Sequence, residues 1–297
     1  MWGGRMSRLF DCFIYDDEDL VYQRIAMLAP VVDTFFIMEG SHTFQGALRN
    51  PTFDLLRVPE TIRHKIRHSV CDLSEAVASG DSWKVEYAQR NALMAVLDEA
   101  ENDDFILLSD IDEIPFPSVL SPRKLRPALL CLLMCYFYVD YISETRPVWK
   151  RPVLFRKSQI GQYGLTFQDI RDGKMNEHIG LMPDAGLHLS YLGGVERIYA
   201  KLAKFSHTEL HSYQGVDRAS FEAKIKEGRD IFDRRDVWGR LDRLPSGYAE
   251  FDADFIAAHR APADVRLLDM ASVEASLRKV RRKAAPKRLR TWLRKHF

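Results

Sequence analysis

The chain has 297 residues, 46% of them hydrophobic and 29% charged, with a formal net charge of +1 at pH 7. Those values exclude a disordered or fibrous protein and suit one large α/β domain with an appendage. No run of about 18 apolar residues occurs, so no transmembrane helix is expected. Leu9–Tyr15 is a short apolar run closed by acids and reads as a first strand. Asp19–Leu28 carries Leu20, Ile25 and Leu28 among polar residues, which predicts a helix stopped by Pro30. Val31–Met38, rich in β-branched and aromatic residues, reads as a second strand ending at Glu39-Gly40-Ser41, and Ile66–Cys71 as a weaker third. Ser82–Ala100 has the apolar stripe of a helix, and Phe105–Leu108 is a fully apolar strand that stops at Ser109-Asp110. The order β-α-β-β-α-β implies an α/β fold with a mostly parallel sheet flanked by helices.

Further on, Leu129–Val139, within the apolar stretch Pro127–Val139, and Val153–Phe155 read as strands, and Phe167–Pro183 as loop. Val195–Phe205 and Ser220–Ile231 read as helices, the first opening at Gly193-Gly194, and the remainder is polar until the C-terminus. Cys12, Cys71, Cys131 and Cys135 lie mostly in apolar runs without metal-ligand spacing and are expected as buried thiols in a reducing compartment. Met1–Phe10 lacks the apolar core of a signal peptide. A cytoplasmic location is therefore expected.

In parallel sheets ligands bind beyond the carboxyl ends of strands, and both polar clusters of interest fall there. In Phe105–Pro115, Asp110 and Asp112 stand at i and i+2 just past a buried strand. Side chains alternate along extended chain, so both face one edge. A divalent metal bridging two phosphate oxygens needs about one or two hard ligands from protein, and this pair supplies that; the plainer alternative is a solvated acidic loop capping a helix. Glu39, at the end of the second strand, is placed to accept a pyrimidine ring N–H with Ser41 beside it, or is a strand-end charge at a Gly turn. Glu86 and Arg90 are four apart on the helix before Asp110 and can pair on its surface.

Together these segments resemble the nucleotide-sugar glycosyltransferases of the GT-A fold, and in particular glycosyltransferase family 17, which includes β-1,4-mannosyl-glycoprotein 4-β-N-acetylglucosaminyltransferases. The residues that carry the resemblance are Asp11-Cys12-Phe13 with Glu18-Asp19-Leu20, Val31-Val32-Asp33 leading to Glu39 and Thr43, and Trp83 with Gln89-Arg90-Asn91. Asp110–Pro115 and Leu187–Glu196, followed by Lys201, complete the set. Leu187 stands where the family motif has Trp. The resemblance implies an inverting transfer with UDP-N-acetylglucosamine as the donor. It implies Mn²⁺ or Mg²⁺ on Asp112 and His188, with Asp110 on the metal or the ribose. Glu39, Ser41, Arg90 and Asn91 would hold the nucleoside, and Gly193, Gly194 and Lys201 the diphosphate at a helix N-terminus. The acceptor's proton would go to a carboxylate near the His188 motif, with Asp184, Glu196 and Glu177 as candidates. The alternatives are a related transferase or nucleotidyltransferase with another donor, and a non-catalytic membrane-binding protein.

The near-neutral charge hides an asymmetry. Residues 278–297 hold ten of the 43 Lys and Arg and no acid, so the rest of the chain sets 33 cations against 42 anions. The expected division is a transferase domain over 1–275 and a basic amphipathic tail over 276–297. After Pro286 a helix would gather Leu289, Trp292, Leu293 and Phe297 on one side, which suits peripheral binding to an anionic membrane. The expected partners are a UDP-sugar, a glycan acceptor of the lipid-linked or envelope type and the inner membrane face. Nucleic acid is not expected, since the acidic body offers no second basic face.

Overall fold

The structure, a computed structural model, describes residues 7–195, 197–199 and 217–285. The strands are β1 (Leu9–Tyr15), β2 (Thr34–Gly40), β3 (Ile66–Cys71), β4 (Phe105–Leu108), β5 (Glu113–Pro115), β6 (Ala128–Leu130) and β7 (Leu132–Tyr136). They continue as β8 (Tyr141–Ser143), β9 (Val148–Trp149), β10 (Val153–Arg156), β11 (Gly180–Met182), β12 (Gly186–Ser190) and β13 (Trp238–Arg240). Seven form a sheet in the order β11-β6-β10-β4-β1-β2-β3. β3, β2, β1 and β4 are parallel neighbours, and β10 alone runs against the rest. The second sheet follows β13-β8-β7-β12-β5, with β9 on β7.

Both faces of the central strands β1, β2 and β4 are covered, which explains why they read as nearly continuous apolar runs. Leu9, Phe13, Phe35, Ile37 and Leu107 meet the helix Leu20–Leu28 through Val21, Ile25 and Leu28. Phe10, Cys12, Phe36, Ile106 and Leu108 face the other way, onto Leu93, Val96, Phe167 and Ile170. The predicted helix Ser82–Ala100 is α-helical over Ser82–Ala92 and tightens to 3-10 over Leu93–Asp98. At three residues per turn, Leu93 and Val96 fall on one side and both pack on the sheet. The second strand starts at Thr34 rather than Val31, because the N–H groups of Val31 and Val32 still donate to the Leu28 carbonyl.

The apolar stretch Leu129–Val139 is two strands, in two different sheets. At Cys131, the chain leaves the large sheet as β6 and continues as β7 of the second. The segment from β11 to β12 makes the same crossing beside it: Cys131 N–H donates to Met182 O, and Ala185 N–H to Cys131 O. Gly186 opens β12 against β5, where a Cβ would stand 2.2 Å from the Ile114 carbonyl oxygen. That close approach fixes His188 opposite Glu113.

Phe167–Pro183, read as loop, contains the helix Phe167–Arg171, capped by Thr166, and the strand β11. The helix read over Ser220–Ile231 spans Arg218–Glu227 and stops at the left-handed Gly228. The supposedly polar remainder buries Trp238, Tyr248, Phe251 and Phe255. A helix Met270–Ala284 runs through the expected 275/276 boundary and buries Val273 and Val280. All four cysteines are free, three of them buried. No described helix is long and apolar enough to cross a membrane.

Candidate active site

The turn after β4 is held from behind by one arginine. Arg24 sits on the buried side of helix Leu20–Leu28, and its Nε and Nη2 donate to the two Asp11 oxygens at 2.9 and 2.6 Å. Nη2 also donates to Ser109 Oγ at 2.6 Å, and Nη1 to the carbonyls of Asp110 and Glu113, both at 2.9 Å. Each N–H of the guanidinium thus has an acceptor, the condition under which a fully buried charge is tolerated. The carbonyls of the turn are drawn inward, and its side chains are turned toward the cleft.

Two more arginines meet Asp110 from the front. Arg90, on helix Ser82–Ala92, donates to Asp110 Oδ1 at 3.2 Å, to Glu86 at 2.7 Å and to Gln168 Oε1 at 2.7 Å. Arg171, at the end of helix Phe167–Arg171, donates to Asp110 Oδ2 and reaches both oxygens of Glu113, at 2.9 and 2.8 Å. Glu113 is fully buried and also accepts from Trp149 Nε1 and the Asp110 N–H. Burial works to raise the Asp110 carboxyl, but Arg171 and then Arg90 outweigh it and hold it below the usual carboxylate range. Asn91 accepts from the Gln168 N–H at 2.9 Å, so it positions that second helix.

Asp112 faces the other sheet. His188 on β12 places Nε2 3.5 Å from Asp112 Oδ1, with both side chains 9% exposed. The imidazole stacks on Trp149, ring centroids 4.5 Å apart, and its Nδ1 lies 3.0 Å from the Met134 sulfur. The ring can donate its Nε2–H to the carboxylate, or carry the proton on Nδ1 and offer the Nε2 lone pair beside Asp112 Oδ1. In the second tautomer the two atoms can share a cation. Among the described residues no group of three or more His, Cys, Asp and Glu is gathered for a metal ion. The donor set therefore fits a cation that takes its remaining ligands from a bound anion, and not a closed metal centre.

These groups line one cleft of about 620 Å³ at the carboxyl ends of β1 and β4. Asp16, Asp17 and Glu18 border it after β1, Phe44, Trp83 and Tyr87 form an aromatic end, and Tyr136, Arg151, Tyr191 and Arg234 belong to the other wall. Of the residues singled out in the sequence, Asp110, Asp112, Arg90 and His188 meet here.

Others do not. Glu39 is fully buried below the cleft, and accepts from Thr52 N–H at 2.7 Å, Thr52 Oγ1 at 3.0 Å, Phe53 N–H at 3.3 Å and His68 at 2.9 Å. Its oxygens are engaged in holding the 52–53 loop, so no acceptor is turned to a base. Ser41 Oγ accepts from the Leu73 N–H at 3.0 Å and ties two loops together. Asp184 lies apart from the cleft, paired with Arg281 at 2.7 and 2.9 Å, and Glu177 is exposed outside it. Gly193 and Gly194 take positive φ where a helix begins. Glu196 and Lys201 lie outside the described residues.

Sequence reading missed Arg24, Arg171, Gln168 and Trp149. Arg24 had a legible signal: it stands three after Val21 and four before Leu28, on the apolar stripe, and Asp11 is a lone acid in an apolar strand. The other three lie in segments without periodicity.

A parallel β3-β2-β1-β4 run, with paired acids at a strand end over a cleft, makes a Rossmann-like α/β fold with a candidate site at its carboxyl edge. The glycosyltransferase family 17 model matches residues 2–236, most of the chain, and the protein belongs to that family. It is a glycosyltransferase. A search of curated proteins finds no match to it.

Proposed function

We propose that this glycosyltransferase moves a sugar from a UDP-sugar, UDP-N-acetylglucosamine first, to a glycan acceptor with inversion at the anomeric carbon. The observation that carries the reading is the Asp112–His188 pair, 3.5 Å apart beside the Asp110–Arg171–Arg90 wall in a cleft at strand ends. A divalent cation, Mn²⁺ or Mg²⁺, held by Asp112 and His188 would neutralise diphosphate charge. Helix Ser82–Ala92 serves as a ruler for the donor. From Arg90 back to Trp83 is about 10 Å along its axis, comparable with the reach from a diphosphate to its base. The nucleoside is accordingly assigned to Phe44, Trp83 and Tyr87, and not to Glu39 or Ser41.

In the transfer, the acceptor hydroxyl oxygen bonds to the anomeric carbon as the bond to the diphosphate oxygen breaks and its electron pair leaves with the diphosphate. The hydroxyl proton goes to a carboxylate, for which Asp16, Asp17, Glu18, Glu86 and Asp172 line the cleft beside Asp110 and Asp112. Glu196 stays a candidate from the sequence. Tyr136, Trp149 and Tyr191 offer ring faces suited to a sugar acceptor. The basic tail is assigned to an anionic membrane surface on the cytoplasmic side, where a lipid-linked acceptor would be met.

The test is UDP release from a panel of nucleotide sugars with and without Mn²⁺. Release from UDP-sugars that depends on the metal supports the reading; turnover of GDP- or CMP-sugars alone sinks the donor assignment.

A further inference from the structure

We propose that the acceptor of this transferase is an acidic glycan, whose phosphate or carboxylate is held by Arg234 and Arg151 on the wall opposite the acids of the cleft. The inference rests on the transferase reading and names the chemical class of its acceptor.

Charge is divided across the cleft. The described carboxylates that line it follow β1 and β4, stand on helix Ser82–Ala92 or follow helix Phe167–Arg171. The other wall is built on the second sheet. There β7 and β12 run parallel with Met134 opposite His188 and Tyr136 opposite Ser190, and all four line the cleft. Two residues of strand cover about 7 Å, so the Tyr136 end stands clear of the Asp112–His188 pair. Tyr136 is firmly held: its ring stacks on Trp238, centroids 4.2 Å apart, and meets Tyr191 edge-on at 5.5 Å.

Arg234 stands beside this floor, its guanidinium carbon 6.0 Å from the Tyr136 ring centre and 5.1 Å from that of Phe232. Its counter-ion lies on the protein side. Asp230, 3% exposed, accepts from Arg234 Nε at 2.9 Å and Nη2 at 2.7 Å, and from the N–H groups of Phe232 and Arg234. The Arg234 side chain is 40% exposed and lines the cleft. The buried carboxylate therefore fixes the fork from behind and leaves a cation on the cleft side. Arg151 lines the same cleft two residues beyond Trp149. Its Nη1 donates to the Arg171 carbonyl at 3.1 Å, and it pairs with no carboxylate among the described residues. One guanidinium aligned by a buried acid and a second without a counter-ion suit the planar oxygens of a carboxylate or the oxygens of a phosphate. A neutral sugar would call for ring faces and hydroxyl partners here, not for two cations.

In the experiment the full chain, saturated with UDP and Mn²⁺, is applied to an array of uronate-bearing, phosphate-bearing and neutral glycans. Binding to acidic glycans that weakens as salt rises is expected, and the uronate and phosphate spots separate the two sources of charge. Arg234→Gln and Arg151→Gln should each lower that binding by about tenfold, with UDP affinity by calorimetry within about twofold of the parent. Arg234→Lys keeps a cation beside Asp230 if the glutamine variant misfolds, and should weaken acidic glycans by about fivefold through loss of the fork. Binding confined to neutral glycans, binding to no glycan, or undiminished acidic-glycan binding in the folded variants overturns the proposal. So does a loss of UDP affinity as large as the loss of glycan binding, which would put the two arginines on the donor. A parent chain that binds no UDP sinks the donor reading instead, and the array in Mn²⁺ alone then decides the acceptor class.

Discussion

Arg24 and Asp11 form a bidentate ion pair with neither side chain exposed, and the same guanidinium grips the backbone that carries Asp110 and Asp112. Breaking such a pair from one side leaves an uncompensated buried charge. Arg24→Met should therefore cost about 3–5 kcal/mol of stability, and Asp11→Asn with Arg24→Met should cost less than the single change. Urea denaturation of the two variants measures the difference. A single variant as stable as the parent would show that the pair does not hold the turn.

Asp112→Ala should abolish metal-dependent UDP binding and leave the fold intact, since its side chain borders the cleft rather than a core. His188→Ala should weaken the same binding and also free the face of Trp149. Calorimetry with UDP and Mn²⁺ reads both. Unchanged affinity in Asp112→Ala removes the metal role.

Glu39 gives a pH dependence whose direction is settled by its contacts. Burial works to raise its carboxyl, but hydrogen bonds from His68, Thr52 and Phe53 hold it below its ordinary value of 4.5. A depressed carboxyl contributes stability above its unfolded value, and that contribution is lost as pH falls through the lower folded one. Glu39→Gln should be less stable than the parent by about 1–3 kcal/mol at pH 7. The gap should narrow below pH 4.5. Thermal melts of both chains across the acid range check this, and a gap that widens on acidification contradicts it.

The cysteines should be inert in the folded chain. Burial pushes Cys71 and Cys131 up to about 11, and Cys12 and Cys135 well above the ordinary range. At pH 8 the thiolate fraction is then about a hundredfold smaller than for an ordinary thiol. Ellman's reagent should react slowly with native protein and rapidly in urea; fast labelling of any one thiol before unfolding disagrees.

For the tail, co-sedimentation with anionic vesicles compares the full chain with one ending at Ala285, which keeps the docked helix Met270–Ala284. Binding by the full chain alone, weakening with salt, is the expected result. Equal binding by both, or none by either, removes the anchor.

The parallel half of the fold was legible because β1, β2 and β4 are buried on both faces, whereas the edge strand β3 is largely exposed and gave the weaker signal. Leu9–Tyr15, Ile66–Cys71 and Phe105–Leu108 stand as read. Asp110 and Asp112 were legible for the same reason, as charges just after an unbroken apolar strand. The second sheet was not. Ala128–Tyr136 stays apolar while changing sheets at Cys131, and hydrophobicity reports burial, not which sheet does the burying. For Glu39 both readings stood open, because a strand-end acid looks alike in sequence whether it meets a ligand or the chain's own loop, and the structure shows it holding the 52–53 loop. Arg171 escaped because it acts from a five-residue helix, too short for a periodic signal.

The side-by-side crossing at Cys131 and Ala185 has a mechanical consequence. Here two hydrogen-bonded segments pass between the sheets together, Phe116 N–H donates to the Ala185 carbonyl, and Leu189 N–H donates to the Asp112 carbonyl at 2.7 Å. A beam of that kind resists bending in the plane of the sheet, so the spacing between Asp112 and His188 is built into the backbone rather than reached by clamping.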